Sequence, residues 1–545
     1  MTAPACATLV VPVFGAIEPA DDHLMRWAAS LGIACRTVEH GAAAAGIDPV
    51  KGSDACLVIN PAVLGRWGLA DLSASTLAHA FGADIRCLLV HAVDPGGPGD
   101  DLLRALTGGA LLGARPAEDG AEAYEVSAEA PEICGAFGGL AVPRRPAGGD
   151  RVLVPGAGDL DVLVALGEAP LLARVRHQGL EVFVLGAVSI ADPDIPCEAG
   201  SPLDHFSQLI APLMVLRHVF RGARLASSAP RAVVMIDDPP LWMNYGFLNF
   251  ERLLALADEL DFHASIAFIP HNYRRSASAV VDLVRARPDR ISLCYHGNDH
   301  TAAEFGATEP EKLGSIIASA QRRIAAFEAQ TRITVEPVMV FPQGVFSAQA
   351  LTALAAWGFR GAMSSGARPT PDEGANVPPV TLAERVRPCL LRLGRAPLFL
   401  RLDCDEVTPQ DIACRAFLGQ PILIFGHHDL LRDSSRLTFL VEWINRRVDG
   451  VIWCSAQSAM EQSYSGRRDA AGQRGETMTP AGGAAPLGLA WTVRAYGRRR
   501  LSEMRDQYLS RTPRLLKLTQ FAKAQGDPVS AAPLGRGSMR SASRR

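Results

Sequence analysis

Apolar residues occur along the first part of the chain in short runs, ATLVVPVFG, IACRTVEH, DACLVIN and IRCLLVHAV, and HLMRWAASLG between the first two reads as a helix that stops at a glycine. Short apolar runs bounded by turn residues are strands, and strands alternating with helices imply β-α-β units around a parallel sheet. Pro95 to Gly149 is rich in Gly, Ala and Pro, after which RVLVPG, DVLVALG, PLLARVRHQG and LEVFVLGAVS restore short strands separated by turns. Residues 1–225 are therefore predicted to form one α/β domain, doubly wound about a parallel sheet.

A second alternation starts at RAVVMIDD, after the linker-like GARLASSAP. It continues through helical FERLLALADELDF, strand HASIAFIP, helical SAVVDLVRARP, strand ISLCYH, a long helical EKLGSIIASAQRRIAAFEAQ, strand PVMVFP, helical SAQALTALAAWG, and strands LFLRLDC, PILIFGHH and VDGVIWCS. Strand and helix repeated over residues 226–462 predict a β/α barrel, whose reactive residues sit where strands end and loops begin. From 463 to 545 the composition shifts to Gly, Ala, Ser and Arg: GRRDAAGQRGETMTPAGGAAPLG reads as a flexible linker, WTVRAYGRRRLSEMRDQYLS as a basic amphipathic helix, and SAAPLGRGSMRSASRR as a disordered, solvated end.

Composition narrows the class. The chain has 545 residues, 48% of them hydrophobic and 20% charged, with a net charge of -3. That is the balance of a globular protein without the basic excess of a nucleic-acid binder. No apolar run reaches the roughly 18 to 20 residues a membrane-spanning helix needs. Met1 to Ile17 lacks a positively charged opening and reads as a buried first strand, not a signal peptide, so a cytoplasmic protein is expected. The 11 cysteines include no CxxC pair, which predicts reduced, buried thiols and no cysteine metal site. The oligomeric state is not legible.

The chemistry lies at strand ends in the second half. RAVVMI ends in Asp237 and Asp238; ISLCY ends in His296, with His300 four residues on; PILIF ends in Gly426, His427, His428 and Asp429. Three apolar strands each terminating in ionisable groups suit a catalytic mouth and not a core, where unpaired charge is costly. His296 and His300 can converge on one metal, and a carboxylate added to two imidazoles leaves a position open for water. Such a set suits zinc and also admits cobalt, manganese or iron. Trp242, Tyr245 and Phe247 follow the aspartates, where aromatic faces could stack on a sugar or pack on the barrel. His271 to Arg275, HNYRR, follows another strand end and could meet an anionic group.

MIDD, then HGNDH, then a proline motif, then a strand-end histidine resembles the NodB-type polysaccharide deacetylases, carbohydrate esterase family 4, over about 225 residues. The resemblance implies a NodB-like, distorted β/α barrel with Asp237 as general base, and Asp238, His296 and His300 as ligands of a divalent metal, Zn2+ being the expected ion. MVFPQG corresponds to the third motif, so Pro342 and Gly344 match, while Val340 and Gln343 replace an arginine and an aromatic. The backbone N–H of Gln343 could still serve an oxyanion. The missing arginine's task would pass to another residue, with Arg401 the candidate. FRGAMSSGARPTP shows no version of the fourth, Asp-and-Trp motif. PILIFGHHD fits the fifth, with His428 favoured as general acid and His427 close behind. The closing strands of the first half resemble glutamine-amidotransferase-like domains, but Cys134, in EICGAFGGL, lacks the nucleophile elbow, so a non-catalytic domain is expected.

The implied activity is removal of an acetyl group from an N-acetylated sugar or polysaccharide precursor: the metal activates water, Asp237 takes its proton, and His428 or His427 protonates the departing amine. The alternatives are hydrolysis of another non-peptide carbon–nitrogen bond and a catalytically silent carbohydrate-binding protein.

Overall fold

The computed structural model describes residues 6 and 8–471 apart from 40–53, 68–71, 82–83, 95–97, 119, 146–148, 198–199, 221–228, 302, 368, 370–378 and 392. Most of the expected tail therefore lies outside the described residues, although the helix Ala456–Ala471 carries the chain past Gln462, where a linker is expected.

The first half is built on a nine-stranded sheet. Ala34–Glu39, Thr8–Val13, Asp54–Ile59, Asp84–Val90 and Leu180–Leu185 lie side by side in parallel. The sheet then continues antiparallel through Ala169–His177, Asp161–Leu166, Ala123–Val126 and Ala141–Pro143. This corrects the expectation of a parallel sheet. The turns at Gly167–Glu168 and Gln178–Gly179 join neighbouring strands directly, whereas a parallel pair needs a crossover of a dozen or more residues. Gln178 (φ 50°) and Gly179 (φ 78°) supply the two left-handed positions that a two-residue hairpin requires. The stretch Pro95 to Gly149, read only as Gly- and Ala-rich, also contains the helix Pro98–Thr107 and the strand Leu111–Pro116, which pairs with Arg151–Pro155.

The second half forms a nearly closed, all-parallel barrel. Arg231–Asp237, Ala264–Phe268, Ile291–His296, Val335–Val340 and Gly361–Ser364 follow one another around it. On its other side Arg231–Asp237 pairs with Ile422–Gly426. A single segment spans the remaining gap: Leu398–Leu400 pairs with Gly361–Ser364, and Leu402–Asp403 pairs with Ile422–Gly426. Arg401 sits at the break, its N–H donating to Ser364 O at 2.9 Å. The strand Gly361–Ser364 has no counterpart in the sequence reading, because four residues between a helix and a Gly/Pro-rich loop give too short a pattern to stand out.

Alternation sets which side chains face the interior. Val233, Met235, Ala267, Cys294, Val338, Val340, Met363, Phe399, Leu423 and Phe425 fill the barrel, closed off by Ala456, Ala459 and Met460. Ala232, Val234, Ile236, Leu398, Leu400, Ile422 and Ile424 face outward into a larger apolar layer. That layer also takes in Phe137, Phe206 and Phe417, so the two halves share packing at their seam. The seam is pinned by backbone hydrogen bonds from Cys197 N to Val380 O at 2.7 Å and from Leu382 N to Ile195 O at 2.9 Å. Among the described residues no helix is long and apolar enough to cross a membrane.

Candidate active site

Extending the inward positions by one residue pair reaches the mouth: 233 and 235 lead to Asp237, Cys294 to His296, Phe399 to Arg401, and Phe425 to His427. Period two is a property of the strand itself, so these four side chains point toward the same axis before any tertiary contact is considered. Asp238, His300 and Gln343 then turn away from their strands at φ 80°, 56° and 58°. Non-glycine residues seldom occupy this region, and each instance costs on the order of 1–3 kcal/mol. Three of the eight described non-glycine residues with positive φ thus lie just beyond the ends of barrel strands.

Asp238 Oδ1 lies 3.2 Å from His296 Nε2 and 3.1 Å from His300 Nε2. That oxygen is buried and accepts no hydrogen bond. Ligands at 2.0–2.1 Å from a tetrahedral zinc stand about 3.3 Å apart, so the spacing fits a cation shared by all three. His296 Nδ1 is 3.0 Å from Val340 O and serves as its donor, so Nε2 is the nitrogen that faces Asp238. The three donor atoms lie within 4.8 Å of one another. Burial raises the cost of ionising Asp238, but His300 and His296 outweigh it and hold the carboxyl well below the usual range.

Asp237 faces the same space and is held differently. Arg401 Nη1 donates to Asp237 Oδ1 at 2.8 Å, and both side chains are almost fully buried. The guanidinium also lies 4.1 Å above the Phe425 ring. Burial opposes ionisation of Asp237, but Arg401 and then His296 outweigh it, so the carboxyl stays below its ordinary value. Arg401 is thus the cation paired with Asp237. His427 Nε2 lies 4.0 Å from Asp238 Oδ2 with about half of its side chain exposed. His428, favoured from sequence, packs its ring against Tyr245 and Phe247 at centroid distances of 5.3 and 6.0 Å, with Nδ1 3.5 Å from the Phe247 N–H.

Residues the sequence reading did not single out hold the HGNDH loop. Glu304, buried, accepts the backbone N–H groups of Asn298 at 2.7 Å, Asp299 at 3.2 Å and His300 at 3.0 Å through one oxygen. Burial pushes its carboxyl up to about 7 against those three donors. Gly297 (φ 64°) must be glycine, since an added Cβ would come within 2.3 Å of Glu304 and 2.4 Å of Pro342. Asp299 is flanked by Arg323 at 2.6 Å and His271 Nδ1 at 2.9 Å, so the HNYRR segment steadies this loop. Glu304→Ala is expected to strand three backbone donors, lowering stability by several kcal/mol at about 1–3 kcal/mol per stranded donor, and to weaken metal binding roughly 10- to 100-fold. Thermal unfolding and metal titration check this, and unchanged metal affinity would remove Glu304 from the site.

Pro342 is buried, and Gln343 is exposed on the Pro342–Gly344 turn, which Ser364 steadies by a hydroxyl bond to Gly344 O at 3.3 Å. Ser364 lies within the stretch where a fourth motif was sought. Tyr245 is buried and used in packing. Trp242 is half-buried, its indole N–H donating to Arg275 O at 2.6 Å while the Arg275 guanidinium lies 5.1 Å from its ring. Cys134 is buried with its Sγ 3.7 Å from Leu163 O, and burial raises its thiol to about 12, far from a nucleophile's range.

No family model matches the chain, and no curated protein does. Solved structures with some likeness cover its C-terminal part. A Mycobacterium smegmatis protein assigned as a polysaccharide deacetylase is 17% identical, with 48% of this chain and 99% of that one covered and a TM-score of 0.31. A family 4 acetyl xylan esterase from Clostridium thermocellum, in complex with a cobalt ion, is 12% identical over 43% and 90%, TM-score 0.25. The Bacillus subtilis peptidoglycan deacetylase PdaC is 11% identical over 44% and 94%, TM-score 0.26. Likeness at this level carries no correspondence of residues.

Proposed function

We propose that the chain is a metal-dependent hydrolase that removes an acetyl group from an N-acetylated sugar or polysaccharide precursor. The observation that carries this reading is the buried, unbonded Asp238 Oδ1 between two imidazole Nε2 atoms, with a second ionised carboxylate, Asp237, beside it. Asp238, His296 and His300 would hold the ion, with zinc the favoured metal. Such an ion lowers the pKa of water in its open position and polarises a carbonyl.

The chain's own residues supply the rest. Asp237, kept ionised by Arg401, takes the proton of the attacking water. The Gln343 backbone N–H is assigned to the developing oxyanion. A general acid is needed because an amine anion is a very poor leaving group, and His427, turned toward the carboxylates, is assigned that proton in preference to His428. The acetylated carbohydrate comes from the motif resemblance. The departures at Val340 and Gln343 favour, as the second reading, a different non-peptide carbon–nitrogen bond. A silent binding protein would have no use for a strained, buried cluster of ionisable groups.

Acetate release from N-acetylated sugars by the zinc-loaded protein tests the reading, and a fully metal-loaded protein that releases none from any of them would overturn the deacetylase assignment. His427→Ala is expected to lower kcat by about 10²- to 10⁴-fold, the usual worth of a general acid. His428→Ala should cost far less in kcat and more in thermal stability, because its ring supports the Asn244–Asn249 hairpin. Steady-state kinetics on both variants would reverse the assignment if the losses were exchanged.

A further inference from the structure

A cavity of about 180 Å³ opens on the outer side of the barrel wall, at the seam with the first half. None of its lining residues belongs to the mouth. Leu398, Leu400 and Leu402 line it from the strand whose inward-facing Arg401 holds Asp237.

The charges around this cavity do not balance. Four arginines and three carboxylates line it, an excess of one positive charge, and each carboxylate also accepts a backbone N–H. Asp204 accepts the Ser201 N–H at 3.0 Å and pairs with Arg145 at 2.8 Å. Glu384 accepts the Thr381 N–H at 2.9 Å, and Asp411 accepts the Thr408 N–H at 2.9 Å and its hydroxyl at 2.6 Å. All three close the first turns of short helical segments. Arg385, Arg387 and Arg415 also line the cavity, and none of them has an ion-pair partner among the described residues. Arg385 gives one N–H to Gly200 O at 3.0 Å, but its buried Nε has no acceptor. Burial, and after it the like charge of Arg385, brings the Arg415 guanidinium down to about 10. Gln420 fixes the arginine-bearing loop by donating to the carbonyls of Arg385 and Arg387, both at 2.7 Å.

Arg385 and Arg415 are partly desolvated and form no ion pair among the described residues, and a bound anion would offset the cost of burying them. Guanidinium forks match the oxygens of phosphate, which as a monoester brings about -1.5 to -2 charges against the single charge of a carboxylate. At about 30 Å³ per water the cavity has room for roughly six, enough for a phosphate group and a small organic part.

We propose that this cavity binds a small phosphate-bearing anion through Arg385, Arg387 and Arg415. The ligand would bridge the Gly200–Asp204 segment and the strand that carries Arg401. The assignment stands apart from the proposed chemistry at the mouth.

The full chain, kept in EDTA so that the mouth holds no metal, is titrated with orthophosphate and with glycerol phosphate at constant ionic strength, by calorimetry and thermal unfolding. A saturable rise in Tm is expected, because a ligand that binds only the folded state stabilises it. In Arg415→Gln the Kd should rise at least tenfold, while Tm without anion stays level or increases as an unpaired cation is lost. If that variant does not fold, the exposed Arg387→Gln is read instead, with an expected severalfold rise in Kd. Tighter binding of glycerol phosphate assigns the site to a phosphorylated small molecule, and equal binding assigns it to orthophosphate; both uphold the anion site. A Tm rise matched by chloride at the same ionic strength, or a Kd unchanged in both variants, would overturn it.

Discussion

Replacing His296 with alanine is expected to strip the divalent ion from the purified protein and to lower acetate release at least a thousandfold, a barrier increase of about 4 kcal/mol. The imidazole's position is set from both sides. Its Nδ1 is fixed by Val340 O at 3.0 Å, and its Nε2 stands 3.2 Å from the Asp238 oxygen that accepts no hydrogen bond. With it gone, Asp238 and His300 remain as two donors, one fewer than a catalytic zinc ordinarily takes from protein. His300→Ala should behave alike, although His300 is more exposed and itself occupies a strained backbone position. Metal analysis of wild type and variants, read beside circular dichroism to confirm folding, decides the matter. A folded His296→Ala protein that retains one equivalent of metal and its activity would sink the assignment.

Arg401→Met should lower stability sharply. The Arg401–Asp237 pair is almost wholly buried, and removing one partner of such a pair leaves an uncompensated charge at a cost of about 3–5 kcal/mol. The pH dependence should reverse sign as well. In the wild type the Asp237 carboxyl lies below its unfolded value, so its contribution to stability is present above that value and is lost as pH falls through the folded one. Without Arg401, burial dominates and the carboxyl rises, so ionising it now opposes folding as pH increases. The acid limb of the kcat/KM profile should move upward for the same reason, since the base must be ionised to act. Adding Asp237→Asn to Arg401→Met removes the stranded charge and should recover part of the lost stability, a coupling that a double-mutant cycle measures. An unmoved acid limb together with an unmoved Tm would show that Arg401 does not govern Asp237.

The candidate site was legible to different depths. MIDD and HGNDH stood out because polar residues at the end of an apolar strand are conspicuous in one dimension. The inward side of this strand was also open to reading: Leu423 and Phe425 face inward, and the next position in the same alternation is His427. Glu304 was invisible, because its role is to accept three backbone N–H groups and no sequence pattern announces an acceptor for backbone. In the first half, Gln178–Gly179 was a readable hairpin signal that would have ruled out a wholly parallel sheet.

The order of apolar and polar positions determined by itself where most barrel strands begin and end and which residues stand at their tips, because strand period and turn chemistry act between near neighbours in the chain. Only the tertiary structure decided which tips meet. The segment Leu398–Asp403 pairs with both edges of the barrel sheet and thereby places Arg401 against Asp237, 164 residues away. The need to pair each buried charge and satisfy each buried donor is a condition on the whole fold, and no local pattern contains it.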